Sequence, residues 1–395
     1  MKVLISGGGI AGLTLAHGLR RHGHDPVVVE RSPKVRDEGY MIDFLGPGYD
    51  TSERMGMLSE LEGIHYQIPR LAFVDAVGKE KFSISYAALR KDVFGGRHFN
   101  FMRGDLERLL YSRIEGRVPV RFGTEVEALE QDEAQVDVRF SDGSTGSFDV
   151  VIGADGIHSR VRELAFGEES RFSRPLGYYT AAFVLDDPEM RRRFGDAFYT
   201  LNVPGRQVGV YPIRGGRLAT LFLFKAQRRP ADFSTEAARR ELETVYGGMH
   251  WIVPRLLERS THGQVYFDEV AQIEMPSWNV GRVALVGDAC QSVSLFAGQG
   301  ASMAVAGAYL LAEKLVAVRD HKDITAALAR YEQSLKPDIQ KRQKSGRRLA
   351  RWFVPDSRIR LVLQEAVWRL ATRPPASLIL RRQFVAGNRG KVVGA

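Results

Sequence analysis

The 395-residue sequence predicts an α/β fold: a Rossmann-like domain with a parallel sheet, an interleaved and mostly antiparallel second sheet, and C-terminal helices. Three observations predict it. First, three apolar runs that end in glycine, KVLISGGG, FDVVIGADG and RVALVGDA, are spread over the chain. Strands buried on both faces of a parallel sheet read this way. Second, residues 176–224 are rich in β-branched and aromatic residues broken by Pro and Gly, which suits antiparallel strands. Third, the length exceeds one ordinary core.

The elements follow in order. Residues 2–6 (KVLIS) form a buried strand, Ala11 to Arg21 a helix stopped at Gly23, and residues 26–30 (PVVVE) a second strand. That is one parallel crossover of about 30 residues. Residues 118–149 alternate as antiparallel strands, with a turn at Asp142–Gly143. Residues 234–246 and 250–259 predict helices, 282–289 a third buried strand, and 301–318 a long helix. Residues 356–374 predict a last helix, capped by Asp356 and stopped by Pro374. Its stripe of Ile359, Val362, Leu363, Ala366, Val367 and Leu370 is expected to pack back on the protein rather than on a membrane, with Arg358, Arg360, Arg369 and Arg373 elsewhere.

Composition excludes several classes. At 44% hydrophobic and 26% charged residues, the chain reads as a soluble globular protein. No run of eighteen apolar residues and no signal-peptide pattern is seen, and the single Cys290 excludes an internal disulfide. These favour the cytoplasm. The net charge of +9 is uneven: from Lys336 to the end there are 15 Lys+Arg and 3 Asp+Glu. The basicity therefore belongs to a tail, and no nucleic-acid partner is expected. Scattered His and one Cys suggest no metal site, and no CxxC pair supports disulfide chemistry.

Three motifs carry the chemistry. Gly7-Gly8-Gly9-Ile10-Ala11-Gly12 matches GxGxxG between a strand and a helix. Gly7 permits the turn, Gly9 lets a pyrophosphate approach the backbone, and Gly12 lets the helix pack close. The helix N-terminus at Ile10 and Ala11 then faces phosphate with free N–H groups. Glu30, ending the second strand, is placed to accept both ribose hydroxyls of an adenosine. This motif does not separate NAD from FAD. The other two are Asp155-Gly156-Ile157-His158-Ser159-Arg160-Val161-Arg162 and Gly287-Asp288, each after a buried strand. Taken singly, either is an ordinary helix cap.

Together and in this order, the three motifs resemble those of the group A flavoprotein monooxygenases, the aromatic hydroxylases built like para-hydroxybenzoate hydroxylase. Size and the EGYMID segment also resemble the tetracycline-inactivating branch. The resemblance implies a glutathione reductase-type FAD-binding domain from residues 1–75, 98–173 and 271–330. It implies a substrate domain from 76–97 and 174–270, and a basic helical tail at 331–395. It implies FAD as cofactor and NADPH or NADH as a transient co-substrate, which suits the lack of a second GxGxxG. Gly7, Gly9, Gly12 and Glu30 would hold the ADP half of FAD, with Arg31 near the adenosine. Arg103 would contact the middle of the cofactor, and Asp288 its ribityl and pyrophosphate region. Asp155 would link FAD binding to NAD(P)H docking, with Arg162 ordering that loop. Asp43, in Gly39-Tyr40-Met41-Ile42-Asp43, is either a flavin contact or a loop aspartate.

Gly298, Gln299, Gly300 and Ala301 lead into the helix at 301–318, so its N-terminus can face the flavin edge where negative charge collects on reduction. No catalytic side chain is named beyond that turn. The sequence departs from the family just before it: Gln291 stands where a histidine is usual and Leu295 where a proline is usual. Among aromatics on the second sheet, Tyr211 and Phe222 are the candidates for lining an apolar substrate cavity. The implied activity is hydroxylation of an aromatic or polyketide-like small molecule by a monomer or homodimer, using NAD(P)H, dioxygen and a flavin C4a-hydroperoxide. The alternatives are a flavin-dependent reductase acting on a lipid or polyprenyl substrate, and a flavin- or ligand-binding protein without turnover.

Overall fold

The structure is a computed structural model that describes residues 1–35, 39–225, 230 and 232–371. Its first sheet has six strands in the order Asn279–Val280, Val283–Leu285, Val150–Gly153, Lys2–Ser6, Asp25–Glu30 and Val120–Phe122. All neighbours are parallel except the first pair. Val3, Leu4, Ile5, Val150, Val151, Ile152 and Val283 are fully buried, as runs covered on both faces should be. The expected strand at 282–289 is shorter than its apolar run, Val283–Leu285, because the chain turns at Gly287 (φ +66°) into a short helix.

The helix Ile10–Arg21 packs on this sheet, and the helix Gly300–Val316 packs on that helix. They approach closely at Gly18, where a Cβ would stand 2.9 Å from that of Ala312. The expectation of antiparallel strands over 118–149 holds only from Val126: Val120–Phe122 joins the parallel sheet by pairing with Val28–Glu30, while Val126–Gln131, Val136–Phe140 and Thr145–Phe148 form a three-stranded antiparallel sheet with the Asp142–Gly143 turn where it was expected. Met41–Leu45 and His98–Met102 pair as a separate two-stranded ribbon.

The eight-stranded second sheet is antiparallel except where Phe198–Val203 runs parallel to Arg70–Val74. It therefore starts at Arg70, a few residues before the expected division at 75, because Leu71 to Val74 pair with Phe198 to Leu201. The two-residue period of its strands sorts the aromatic residues by face. Phe222, Phe224, Val208 and Val210 point back into a core with the helices Thr235–Tyr246 and Val253–Arg259. Tyr211, Ala219 and Leu221 point forward, toward Met41 and Met102 of the ribbon.

The helix Ile324–Phe353 spans both parts. Near its start, Glu332 accepts from the backbone N–H of Trp278 at 2.8 Å, at the edge of the first sheet. At its end Phe353 packs on Phe296, and the chain turns into the helix Arg358–Ala371 at the edge of the second sheet. Here the structure corrects an expectation. The stripe Ile359, Val362, Leu363, Val367 and Leu370 faces solvent instead of packing inward. The opposite edge holds the helix: Glu365 pairs with Lys81, Trp368 meets Phe73, and the Gln364 amide donates to Trp352 O at 2.6 Å. The expected stop at Pro374, and Arg373, lie outside the described residues. Among the described residues, no helix is long and apolar enough to cross a membrane.

Candidate functional site

The strand ends of the first sheet open on a cleft of about 690 Å³. Ser6 to Gly9, Val29 to Arg31, Arg103, Glu107, Thr124, Ala154 to Gly156, His158 and Arg160 line it. Its floor shows why the glycines stand where they do. Gly7 has φ +114°, and a Cβ there would lie 2.4 Å from Ala154 O. A Cβ on Gly12 would lie 1.9 Å from Gly7 O, so only glycine lets the helix begin against the strand. Glu30 is buried; its Oε2 accepts from Gly8 N at 2.7 Å and its Oε1 from Ser32 N at 2.8 Å. The carboxylate thus tethers the glycine turn and still borders the cleft. Arg31 lies on the same wall.

Motifs far apart in the chain converge here. Gly7 touches Ala154 and Asp155, and Gly287 lies so near Ala11 that a Cβ would stand 2.7 Å from that of Ala11. A Cβ on Gly300 would reach within 3.9 Å of Asp288 Oδ1. Arg103 pairs with Glu107 at 3.0 Å, which strengthens its hold on its proton, and it feels the charge of Asp288. Asp155 accepts from Ser159 Oγ and from Val161 N, so its carboxylate caps the helix Arg160–Phe166 while bordering the cleft. Desolvation pushes it above the usual carboxylate range. Arg162, fully buried, donates to Ile157 O, Glu169 and Ala289 O, and so orders the Asp155 loop and ties it to the Asp288 helix.

The second end of the site is the turn Gly298-Gln299-Gly300 before the helix Gly300–Val316. Gly298 sits in the left-handed region at φ +60°, and Ala301 lies in the first turn, where backbone N–H groups have no helical acceptor. Ser294, just upstream, holds φ +79°, a conformation that costs a non-glycine residue about 1–3 kcal/mol. Sequence reasoning missed what supports it, the helix Ile324–Phe353. Gln343 donates to Ile273 O and Ser292 O, and Gln272 donates to Val293 O. Arg342, itself buried and paired with Asp338 at 2.7 Å, donates to the Gln299 side chain. A local motif cannot announce partners 20 or more residues away.

Gln291 also finds its explanation. It is buried, donates to the Tyr331 hydroxyl and packs on Gly307, where a Cβ would meet it at 2.6 Å. This glutamine is interior scaffold. Leu295, at the other departure, packs with Phe353 and Tyr178.

Of the two substrate candidates, Tyr211 lies on the forward face, where its hydroxyl accepts from Met41 N at 2.8 Å. Phe222 lies on the back, fully buried against Phe183 and Tyr246. It is core, because its register opposite Val208 turns it toward the helices. The half-buried residues around Tyr211 are Met41, Phe198, Leu221 and Val184. Asp43, on the ribbon, has 42 % of its side chain exposed. Its Oδ1 accepts from Tyr86 (2.6 Å) and Asn100 (2.6 Å) and faces His98 Nε2 at 2.9 Å. Burial raises the carboxyl, but the His98 hydrogen bond leads a set that overcomes it, leaving Asp43 below the usual range. His158 was also not singled out by sequence. It stands between Glu169 (3.0 Å) and Asp268 (3.3 Å), which raise its pKa to about 9. Among the described residues, no group of three or more His, Cys, Asp or Glu is placed to hold a metal ion.

Residues 1–343 match the family model described as "FAD binding domain". The chain belongs to that family. It is 31% identical over 360 residues to a flavin-dependent monooxygenase of an unknown prokaryotic organism, covering 90% of this chain and 91% of the relative. A flavin-dependent monooxygenase of Legionella longbeachae is 30% identical, with 88% of each chain covered. Among solved structures, tetracycline destructase Tet(51) superposes with a TM-score of 0.84 at 28% identity, covering 98% of this chain and 97% of that one. Klebsiella pneumoniae HpxO, complexed with FAD and uric acid, superposes with a TM-score of 0.78 at 26% identity, covering 99% and 98%. This family member is an FAD-dependent monooxygenase, and NAD(P)H as electron donor is the general pattern of its family.

Proposed function

We propose that this monooxygenase hydroxylates a flat, electron-rich small molecule, aromatic or polyketide-like, bound between the forward face of the second sheet and the Gly298–Gly300 turn. The observation that carries the reading is the convergence of Gly7 on Asp155, Ala11 on Gly287 and Asp288 on Gly300, which makes one continuous bed from segments 280 residues apart. FAD suits that bed: Gly7 and Gly12 let the helix start against the strand, a Cβ on Gly9 would project toward Arg103 and Glu107 of the cleft wall, and the helix at Ile10 offers a pyrophosphate free N–H groups. FAD, once bound and reduced, supplies the activation of dioxygen.

The chain's own residues do the rest. Glu30 and Arg31 hold the adenosine, and Arg103 and Asp288 hold the middle of the cofactor. The first-turn N–H groups at Gly300 and Ala301 stabilise negative charge at the ring end. Asp155, His158 and Arg160 form the rim where NAD(P)H docks. Met41, Phe198 and Leu221 exclude water from the substrate. Asp43, held ionised, offers a fixed acceptor for a phenol or enol hydroxyl. The named relatives support the substrate class: one is a tetracycline destructase and the other binds uric acid. The single cysteine, Cys290, is buried and free, so the fold needs no oxidising compartment.

The test is direct. The purified protein is screened with phenols, purines and aromatic polyketides for stimulated NAD(P)H oxidation, under labelled dioxygen. One labelled oxygen atom in the product is expected. A product formed without dioxygen overturns the reading and leaves a reductase.

A further inference from the structure

We propose that the helix Arg358–Ala371 is a membrane-surface element, which docks the enzyme on a bilayer leaflet carrying anionic lipid. Ile359, Val362, Leu363, Val367 and Leu370 are each between 41 and 83 % exposed. They make up most of the large apolar side chains that stand in solvent among the described residues. Singly exposed apolar residues are ordinary, but a contiguous patch marks an interaction site.

The geometry is that of an interfacial helix. At 100° per residue, those five side chains fall in one sector. Leu361, Gln364, Glu365 and Trp368 fall in the opposite sector, where Glu365, Trp368 and Gln364 attach the helix to the enzyme through Lys81, Phe73 and the end of the preceding helix. Arg360 projects on one side of the stripe, Arg358 and Arg369 on the other. Arg360 pairs with Asp356 at 2.8 Å, and Arg369 lies 4.5 Å over the Phe82 ring and 3.7 Å from Glu365. Arginines beside an outward apolar stripe sit at the depth of lipid headgroups while the stripe enters the acyl boundary.

Charge selects among occupants. The helix itself carries Arg358, Arg360 and Arg369 against Glu365 alone. A second copy docked face to face would bring the same positive segment against itself, whereas an anionic leaflet complements it.

The test uses the full-length, FAD-loaded enzyme and sedimentation with vesicles. Phosphatidylcholine vesicles containing phosphatidylglycerol should carry the protein down, phosphatidylcholine alone should not, and salt should release it. Val362→Asp with Leu363→Asp should weaken binding at least about tenfold with melting temperature and NAD(P)H oxidation unchanged, since neither side chain touches the cleft. Arg358→Ala should weaken it about fivefold. The proposal fails if the wild type ignores anionic vesicles or if the double variant binds as well. A solution dimer that the double variant dissolves overturns it in favour of a second copy. Binding gained only after removal of residues 372–395 overturns it in favour of the chain's own C-terminus.

Discussion

At the end of the bed proposed to hold adenine, the architecture works by omission. Gly7 and Gly12 remove side chains, strand and helix close to within backbone contact, and Glu30 from the next strand fastens the turn. At the ring end the architecture works by reinforcement. The Ser292–Gln299 segment contains a residue at positive φ, and it is held by Gln272 of the second sheet and by Arg342 and Gln343 of the C-terminal helix. The first end is built mainly from the first 30 residues, closed against Ala154 and Gly287. The second is held in shape by neighbours from elsewhere in the chain. Affinity and reactivity should therefore be separable by mutation.

The largest effect is expected at the adenine end. Gly12→Ala puts a methyl within 1.9 Å of Gly7 O, and neither backbone can retreat. FAD binding to apo-protein, followed by flavin fluorescence, should be lost; retention within tenfold would show that the helix can slide. Glu30→Gln keeps the shape and removes the charge. A hydrogen bond to a charged group contributes about 1.5–3 kcal/mol, so the FAD dissociation constant should rise about tenfold to a hundredfold.

Arg342→Met tests the other side of the comparison. The FAD dissociation constant should stay within about threefold, as for distant sites, while the visible flavin spectrum shifts and peroxide release per NAD(P)H rises. An equal loss of affinity would mean that the two ends are one cooperative unit. Tyr211→Phe removes the acceptor of Met41 N and loosens the ribbon from the second sheet. A cost of about 1 kcal/mol, read as a melting shift of about 1–3 °C, is expected with FAD affinity unchanged.

The smallest effect belongs to His158, which links the Asp155 loop to Asp268 on the second sheet. Its pKa rises from 6.5 to about 9, so its contribution to stability is complete below pH 6.5 and is lost as pH climbs through about 9. Because 44 % of the ring side chain is exposed, that contribution should not exceed about 1 kcal/mol. His158→Ala should flatten the fall in melting temperature between those pH values.

The same contrast separates what the sequence disclosed from what it hid. The glycine cradle, Glu30, the parallel strands and the turn at Asp142–Gly143 were legible because each rests on neighbours in sequence and on one periodicity. Gly287–Asp288 was legible only through the company of the other motifs. Phe222 was misplaced because composition alone does not say which face of a strand an aromatic occupies; that depends on register opposite Val208. The last helix was misread for a related reason. Its amphipathic pattern is real, but Lys81 and Phe73, some 280 residues earlier, decide which side docks. His158, with its partner 110 positions away on another sheet, left no local signature at all.

The helix Ile324–Phe353 has a consequence for the order of biosynthesis. The strand Lys2–Ser6 leaves the ribosome first, yet one neighbour is at Val150–Gly153 and the next in the sheet at Val283–Leu285. Arg342 and Gln343 come later still. At about 5–20 residues per second, on the order of tens of seconds separate the first glycine from the last brace. On the proposed reading of the site, a nascent chain owns its adenine grip long before it has a finished ring seat, and loading with flavin is expected among the final events in the making of the enzyme.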